Sequence, residues 1–279
     1  MDFLDRLIEL ALDEDLGAAG DVTTTALIPS TAQGTGELWA KEALVLAGTD
    51  AFIRVCHTVD SALTVTFSAE DGAAVASGTC IAMLHGRLRS LLVAERTALN
   101  IIQRTSGIAT LSRRASEAVA GSKTQVLDTR KTSPGMRALS KAAVRAGGAH
   151  NHRFGLFDGI LIKDNHLAAV GGSVTEALRR AQANAPRLVK IEIEVTTLEQ
   201  LDEAAAAGAD IVLLDNMSDA LIAEAVRRVG GRVELEVSGG VTLERLPQLA
   251  KLGVDFVSLG ALTHSARAMD LSLEIVGIN

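Results

Sequence analysis

Three short stretches concentrate the groups that could do chemistry: Asp128-Thr129-Arg130-Lys131-Thr132, His150-Asn151-His152-Arg153 and Lys163-Asp164-Asn165-His166. Arg130 and Arg153 are planar forks suited to bidentate binding of carboxylate or phosphate, whereas Lys131 and Lys163 act as point charges. The chain as a whole has a formal net charge of −7. A basic cluster within it therefore points to a small ligand bearing several negative charges. Taken singly, His150 and His166 read as satisfied loop histidines, while His152, next to Arg153, reads as part of the cluster. No zinc-type ligand spacing accompanies them, and no serine or cysteine nucleophile with a paired base is visible.

Two acids and two glycine turns complete the set. Glu194 and Asp215 each close a short apolar run, and their hard oxygens suit Mg²⁺ shared with a substrate phosphate. Ser238-Gly239-Gly240 and Ser258-Leu259-Gly260-Ala261 are small enough for backbone N–H groups to approach a phosphate.

The elements that must position these groups follow from hydropathy patterning. After Gly121, short apolar strands alternate with Ala-rich helices. Strands are expected at 125–127, 159–162, 189–193, 211–214, 233–237 and 256–259, and helices at 136–145, 174–183, 198–207, 219–228 and 243–251. Such alternation implies a parallel sheet, and six strands in this length favour a barrel over a doubly wound sheet. Nearly every strand then ends in one of the polar groups above. In a parallel barrel those ends converge on one mouth, where active sites of this architecture are built. The first part of the chain is less regular. An amphipathic helix carries Leu4, Leu7, Ile8 and Ala11 on one face, strands are expected at 36–46 and 63–67, and helices at about 90–102 and 108–119. That mixture suggests an α+β domain.

Composition narrows the class. Hydrophobic residues are 48% of the chain and charged residues 22%, enough for a large core and against disorder. Aromatic residues are only 3% and Tyr is absent, so Ala, Leu, Val and Ile must build that core. The negative charge argues against a nucleic-acid partner. No apolar run is long enough to span a bilayer. The start, Met1 to Arg6, lacks the form of a signal peptide, and Cys56 and Cys80 read as reduced thiols; together they predict a cytoplasmic protein.

The stretch Thr129-Arg130-Lys131-Thr132-Ser133-Pro134-Gly135-Met136-Arg137, followed by His150-Asn151-His152-Arg153 and Ile162-Lys163-Asp164-Asn165-His166, resembles the signature of the quinolinate phosphoribosyltransferase family. The likeness extends through Gly20-Asp21-Val22-Thr23-Thr24, Glu95 to Asn100, Leu214-Asp215-Asn216, Ser238-Gly239-Gly240 and Gly260 to Ser265. Departures are slight: Gly147-Gly148-Ala149 stands where a third glycine is common, and Ser133 where threonine is frequent. The resemblance implies a type II phosphoribosyltransferase fold: an N-terminal α+β sandwich over 1–107, joined by 268–279, and an open parallel α/β barrel over 108–267. It implies the transfer of phosphoribosyl from 5-phosphoribosyl-1-pyrophosphate to quinolinate with decarboxylation, with Mg²⁺ as cofactor. Arg130, His152, Arg153 and Lys163 would hold the quinolinate carboxylates, with Thr129 beside them and Lys131 near the phosphoribosyl donor. Glu194 and Asp215 would sit at the ribose hydroxyls and Mg²⁺, directly or through water. Lys131, Glu194 and Asp215 would be the catalytic set. The backbones of Ser238, Gly239 and Gly240 and of Leu259, Gly260 and Ala261 would take the 5′-phosphate. The family forms homodimers in which Arg96 reaches the partner's site. Rival readings are a molybdenum-transport-associated relative of the same fold, which typically lacks the Lys-Asp-Asn-His run, a binding protein that has lost catalysis, and a Schiff-base aldolase using Lys163. The last leaves the arginines and paired acids unexplained.

Overall fold

The computed structural model describes residues 3–278; Met1, Asp2 and Asn279, and with them part of the N-terminal reading, lie outside the described residues. In chain order the elements are α1 (Phe3–Leu16), α2 (Val22–Leu27), β1 (Gln33–Ala40), β2 (Leu44–Val45), α3 (Thr49–Val59), β3 (Thr64–Phe67), β4 (Ala74–Val75), β5 (Thr79–Arg87) and α4 (Leu88–Ala118). Then come β6 (Gln125–Leu127), α5 (Arg137–Ala146), β7 (Ile160–Ile162), α6 (Asp164–Ala169), α7 (Val174–Asn184), β8 (Ile191–Val195), α8 (Leu198–Ala206) and β9 (Ile211–Asp215). The chain ends through α9 (Asp219–Val229), β10 (Glu234–Ser238), α10 (Leu246–Leu252), β11 (Phe256–Ser258), α11 (Ala261–His264) and β12 (Leu271–Ile278). They pack as two compact units, one of residues up to 113, 133–148 and from 265, the other of 114–132 and 149–264.

The first unit is built on a four-stranded antiparallel sheet, order β12-β1-β5-β3. Strand β1 alternates buried and partly exposed residues, as a sheet with one covered face requires. Leu38 and Ala40 of β1 enter a core with Phe52, Val55, Leu84, Leu91 and Ile102. Two helices were expected over 90–102 and 108–119, but one, α4, runs through both. Gly107, in the gap between the two expected helices, does not interrupt α4, since an isolated glycine is tolerated inside a helix. Here its lack of a side chain is used: a Cβ on Gly107 would lie 1.8 Å from the Arg267 carbonyl oxygen. The chain leading to β12 passes directly over the helix backbone.

Other expectations for this region also change. The strand expected over 36–46 divides into β1 and the short β2, while α3 and β5 carried no expectation at all. Residues 133–148, expected inside the barrel, pack with the first unit. Their helix α5 buries Leu139 in the same core as Phe52, and Arg113 donates from Nε to the Gly147 carbonyl and from Nη2 to that of Gly72, each at 3.1 Å. The expected boundary at 107/108 therefore falls within a helix, not in a linker.

The second unit is a six-stranded parallel sheet in the order β6-β11-β10-β9-β8-β7. It is curled: one cavity of about 330 Å³ is lined by Gln125, Ile160, Glu192, Ile211, Glu236 and Phe256, one residue from each of the six strands. The edge strands β6 and β7 do not pair, so the barrel is open, and His150 bridges to Leu127 along the β6 edge. All six strands lie within two residues of their expected bounds. Helix starts follow local chemistry: Ser173, Thr197 and Ser218 accept from the backbone N–H groups of Glu176, Gln200 and Leu221 at the starts of α7, α8 and α9, the hydroxyl capping that satisfies otherwise orphaned donors.

Candidate active site

Parallel strands deliver their C-terminal residues to one rim, and the predicted groups gather there. A cavity of about 220 Å³ is lined by Thr129, Arg130, Lys131, His152, Arg153, Lys163 and Ser238, together with Leu161, Leu213, Glu236 and Ser258. The segment carrying His152 and Arg153 is held by Asp128, which is fully buried after β6. Its carboxylate accepts from Asn151 Nδ2 at 2.7 Å and from the His152 backbone N–H at 3.0 Å. Arg153 donates from Nη1 to the Gly159 carbonyl at 2.9 Å. Burial, and then the neighbouring Arg130 charge, depress its pKa, so the two guanidiniums face each other's repulsion. Arg130 Nε is buried with no hydrogen-bond partner among the described residues. A buried, unpaired donor on a cation is costly unless an anion completes it.

Lys131 lies along the other side of the mouth. Its carbonyl accepts from Thr263 Oγ1 at 2.8 Å, and its Cδ would lie 3.3 Å from a Cβ on Gly260. Lys163 forms an ion pair with Glu194 at 2.6 Å while also lining the cavity. Asp215, at the end of β9, pairs in register with Ser238 of β10, and its Oδ2 accepts from Asn216 Nδ2 at 2.8 Å. His166 does not join the group: its Nδ1 accepts from the Lys163 N–H at 2.9 Å and so closes the start of α6. Exposed His150 serves the β6 edge through its backbone. Arg96 sits on α4 of the first unit, with its side chain 58% exposed and Glu95 3.9 Å away.

The two glycine turns differ. Asn216 adopts a left-handed backbone, φ 53°, and its Oδ1 lies 2.3 Å from where a Cβ on Gly239 would stand. Gly239 itself has φ 90°, so the close approach and the backbone conformation both demand glycine. The N–H groups of Gly239, Gly240, Gly260 and Ala261 find no acceptor among the described residues. Leu259 is different: its N–H donates to the Leu127 carbonyl at 2.9 Å. It is buried in the barrel wall, and its amide is spent on the sheet, which removes it from the expected phosphate donors.

Below the rim lies a cluster that patterning did not single out. Glu192 of β8 and Glu236 of β10 point inward and are buried, 5% and 1% exposed. His152 Nε2 stands 3.0 Å from Glu192 Oε2 and 3.6 Å from Glu236 Oε2. The Arg153 backbone N–H donates to His152 Nδ1 at 2.7 Å, so the ring proton sits on Nε2 and is donated to Glu192. Burial opposes a charge on His152, but the two glutamates outweigh it and raise its pKa. A second ring proton would nevertheless set Nδ1–H against the Arg153 N–H. We therefore read the attraction as a strong Nε2–H bond to a neutral ring. The signal available in sequence was a charged residue inside each of two strands, Ile-Glu-Ile-Glu-Val and Glu-Leu-Glu-Val-Ser, where a buried parallel strand is expected to be apolar.

Both acids expected at Mg²⁺ occupy neighbouring strand ends, and each keeps one carboxylate oxygen without a partner among the described residues. That donor set fits a hydrated Mg²⁺ that shares its shell with a substrate, because this ion retains waters and takes one or two carboxylates. It is not a closed all-protein cage.

Comparison with known proteins places this geometry. Residues 21–106 match the model of the quinolinate phosphoribosyl transferase N-terminal domain, and residues 108–274 that of its C-terminal domain. A nicotinate-nucleotide pyrophosphorylase (carboxylating) of Mycobacterium leprae is 45% identical, covering 96% of this chain and 95% of its own. A probable one from Bacillus subtilis is 42% identical over 98% and 93%. The solved structure of the nicotinate-nucleotide pyrophosphorylase from Francisella tularensis superposes with a TM-score of 0.92 at 41% identity, over 99% of this chain and 96% of that one.

Proposed function

The chain belongs to the quinolinate phosphoribosyl transferase family, and from that premise we propose how its barrel mouth carries out the family reaction. The enzyme transfers phosphoribosyl from 5-phosphoribosyl-1-pyrophosphate to quinolinate with loss of carbon dioxide and pyrophosphate. The product is nicotinate mononucleotide, for de novo NAD biosynthesis. The observation that carries the assignment of roles is the buried, partnerless Arg130 Nε beside Arg153. A dicarboxylate supplies two anions to this pair of cations.

In this reading Arg130 and Arg153 grip the pyridine carboxylates, with Thr129 and Lys163 at the rim, while His152, expected among the gripping groups, lines the mouth with its ring proton given to Glu192 and its Nδ1 taken by the Arg153 N–H. Lys163 exchanges part of its contact with Glu194 for substrate. The pyridine nitrogen is thereby aimed at the anomeric carbon, where most of the rate gain from orientation arises. Glu194 and Asp215 face the ribose and stabilise the positive charge that develops there as pyrophosphate departs. Lys131 neutralises charge on the phosphoribosyl donor. The free N–H groups of Gly239 and Gly240, and of Gly260 and Ala261, hold the 5′-phosphate. Glu194 and Asp215 would hold Mg²⁺, directly or through water, and the ion would supply charge neutralisation for the leaving pyrophosphate.

The reaction is tested with carboxyl-labelled quinolinate. Labelled carbon dioxide should appear only when 5-phosphoribosyl-1-pyrophosphate is present, because the electrons left at C2 need the cationic ring nitrogen that transfer creates. Release without the donor would refute this order of events. The metal is tested separately: a chelator should abolish turnover, and Mg²⁺ or Mn²⁺ should restore it. Full activity in metal-free buffer would remove Glu194 and Asp215 from that role.

We also propose a two-fold dimer in which Arg96 of one chain enters the mouth of the other, closing a site that the open barrel leaves wet. A cytoplasmic location agrees with the composition, and no helix among the described residues is long and apolar enough to cross a membrane.

A further inference from the structure

Decarboxylation leaves an electron pair at C2 of the pyridine ring, and that carbon must take a proton before the product can leave. None of the basic groups at the rim is a natural donor, since their protons are engaged in holding anions. Glu236 is placed differently. It lies on the same inward row of β10 as Ser238, one pleat deeper, and lines the mouth cavity together with Arg130, Arg153 and Lys163. It is 1% exposed and its Oε1 has no partner among the described residues, as is true of Glu192 Oε1 beside it.

We propose that Glu236 is the acid that delivers the proton replacing carbon dioxide at C2. The inference rests on the quinolinate reading of this mouth. The groups facing Glu236 are Glu192 on β8, His152 from the segment after β6 and Ser258 on β11. Two carboxylates at this separation in a dry site cannot both ionise cheaply. His152 Nε2 lies nearer to Glu192 than to Glu236, 3.0 against 3.6 Å, so Glu236 receives the weaker support for a negative charge. Burial, and next the Glu192 charge, raise the Glu236 pKa above the carboxylate range, against weaker opposing pulls from His152 and Ser258. The cluster could be taken for a metal site, but Nε2 carries the ring proton and has no lone pair to offer a cation.

The step balances. The bond from C2 to its carboxylate breaks, carbon dioxide leaves, and the electron pair stays on C2 next to the cationic nitrogen. That pair takes the Glu236 proton, and the resulting Glu236 carboxylate regains a proton from water before the next cycle. The donor also makes carbon dioxide loss irreversible, since an unprotonated C2 can recapture the gas within the closed mouth.

The experiment compares Glu236→Gln and Glu236→Asp with the unsubstituted enzyme. Quenched-flow assays with carboxyl-labelled quinolinate would follow pyrophosphate and carbon dioxide in the same samples. In Glu236→Gln, pyrophosphate should still form in a burst, carbon dioxide release should slow by roughly 100-fold or more, and the dicarboxylate nucleotide should accumulate with KM for both substrates near wild type. Glu236→Asp, which keeps an acid, should recover part of the rate. In the unsubstituted enzyme, carbon dioxide release should fall as pH rises through the Glu236 pKa, because the acid acts only while protonated, and Glu236→Gln should lack that limb. Wild-type carbon dioxide release in Glu236→Gln would overturn the proposal, as would parallel loss of pyrophosphate and carbon dioxide with both KM values altered. Should Glu236→Gln fail to fold, a flat alkaline profile in the unsubstituted enzyme, or an unshifted one in Glu236→Asp, overturns it equally. Failure of the quinolinate reading would show instead as no carbon dioxide from the unsubstituted enzyme.

Discussion

Nicotinate, which lacks the carboxylate at C2, should be turned over with a kcat/KM at least about 10³-fold below that of quinolinate. A site built to bind a polar group rejects the analogue lacking it by factors of this size or more, because its own buried groups are left unpaired. Here the unpaired groups would be charged. Arg130 Nε is already without a protein partner, and Arg153 is destabilised by burial and by Arg130. One carboxylate cannot satisfy both forks. The measurement is steady-state kinetics with each acid at saturating 5-phosphoribosyl-1-pyrophosphate. Comparable specificity constants would remove the dicarboxylate assignment while leaving the family intact.

Arg96→Ala and Arg130→Ala should each give a nearly inactive homodimer, and mixing them should restore activity. The expectation follows from the proposed two-fold assembly, in which Arg96 serves the partner's mouth and Arg130 its own. After dissociation and random reassociation, about half of the dimers are mixed. Each mixed dimer has one site with both substitutions and one with neither, so activity should return to about a quarter of wild type. Subunit exchange is verified independently by differential labelling. If exchange is complete and no activity returns, Arg96 acts within its own chain. The Arg96 side chain is 58% exposed on α4, with Glu95 at 3.9 Å, so its guanidinium is accessible to an anion from outside the chain.

The chemistry of the rim was legible in the sequence because both of its ingredients are local. A strand that is buried on two faces must be apolar along its length, so the first polar residue after it marks the strand end. Asp128, with Arg130 two residues on, Lys163, Glu194, Asp215 and Ser238 could be placed at one rim from that rule and the parallel alternation alone. The motifs around them were specific enough to indicate the family. Helix starts were local too, through Ser173, Thr197 and Ser218.

What only the tertiary structure decided depends on residues far apart in the chain. Gly107 falls in the gap between two expected helices, and only the structure shows the Arg267 backbone in the space a side chain there would need. Residues 133–148 alternate with strands as a barrel helix would, yet Leu139 belongs with Phe52 in the core of the first unit. Leu259 sits in a glycine-bearing turn, but its amide is claimed by Leu127 across the β6–β11 edge. The deepest case is the pair Glu192 and Glu236. In sequence each is a charge misplaced in a buried strand, and neither indicates the other. Strand β9 separates their strands in the sheet, and only the curl that turns both side chains inward sets them beside His152. Whether a buried carboxyl keeps or loses its proton depends on which charges stand within a few ångströms of it. That distance is set by sheet closure and register, which residue types along the chain do not contain.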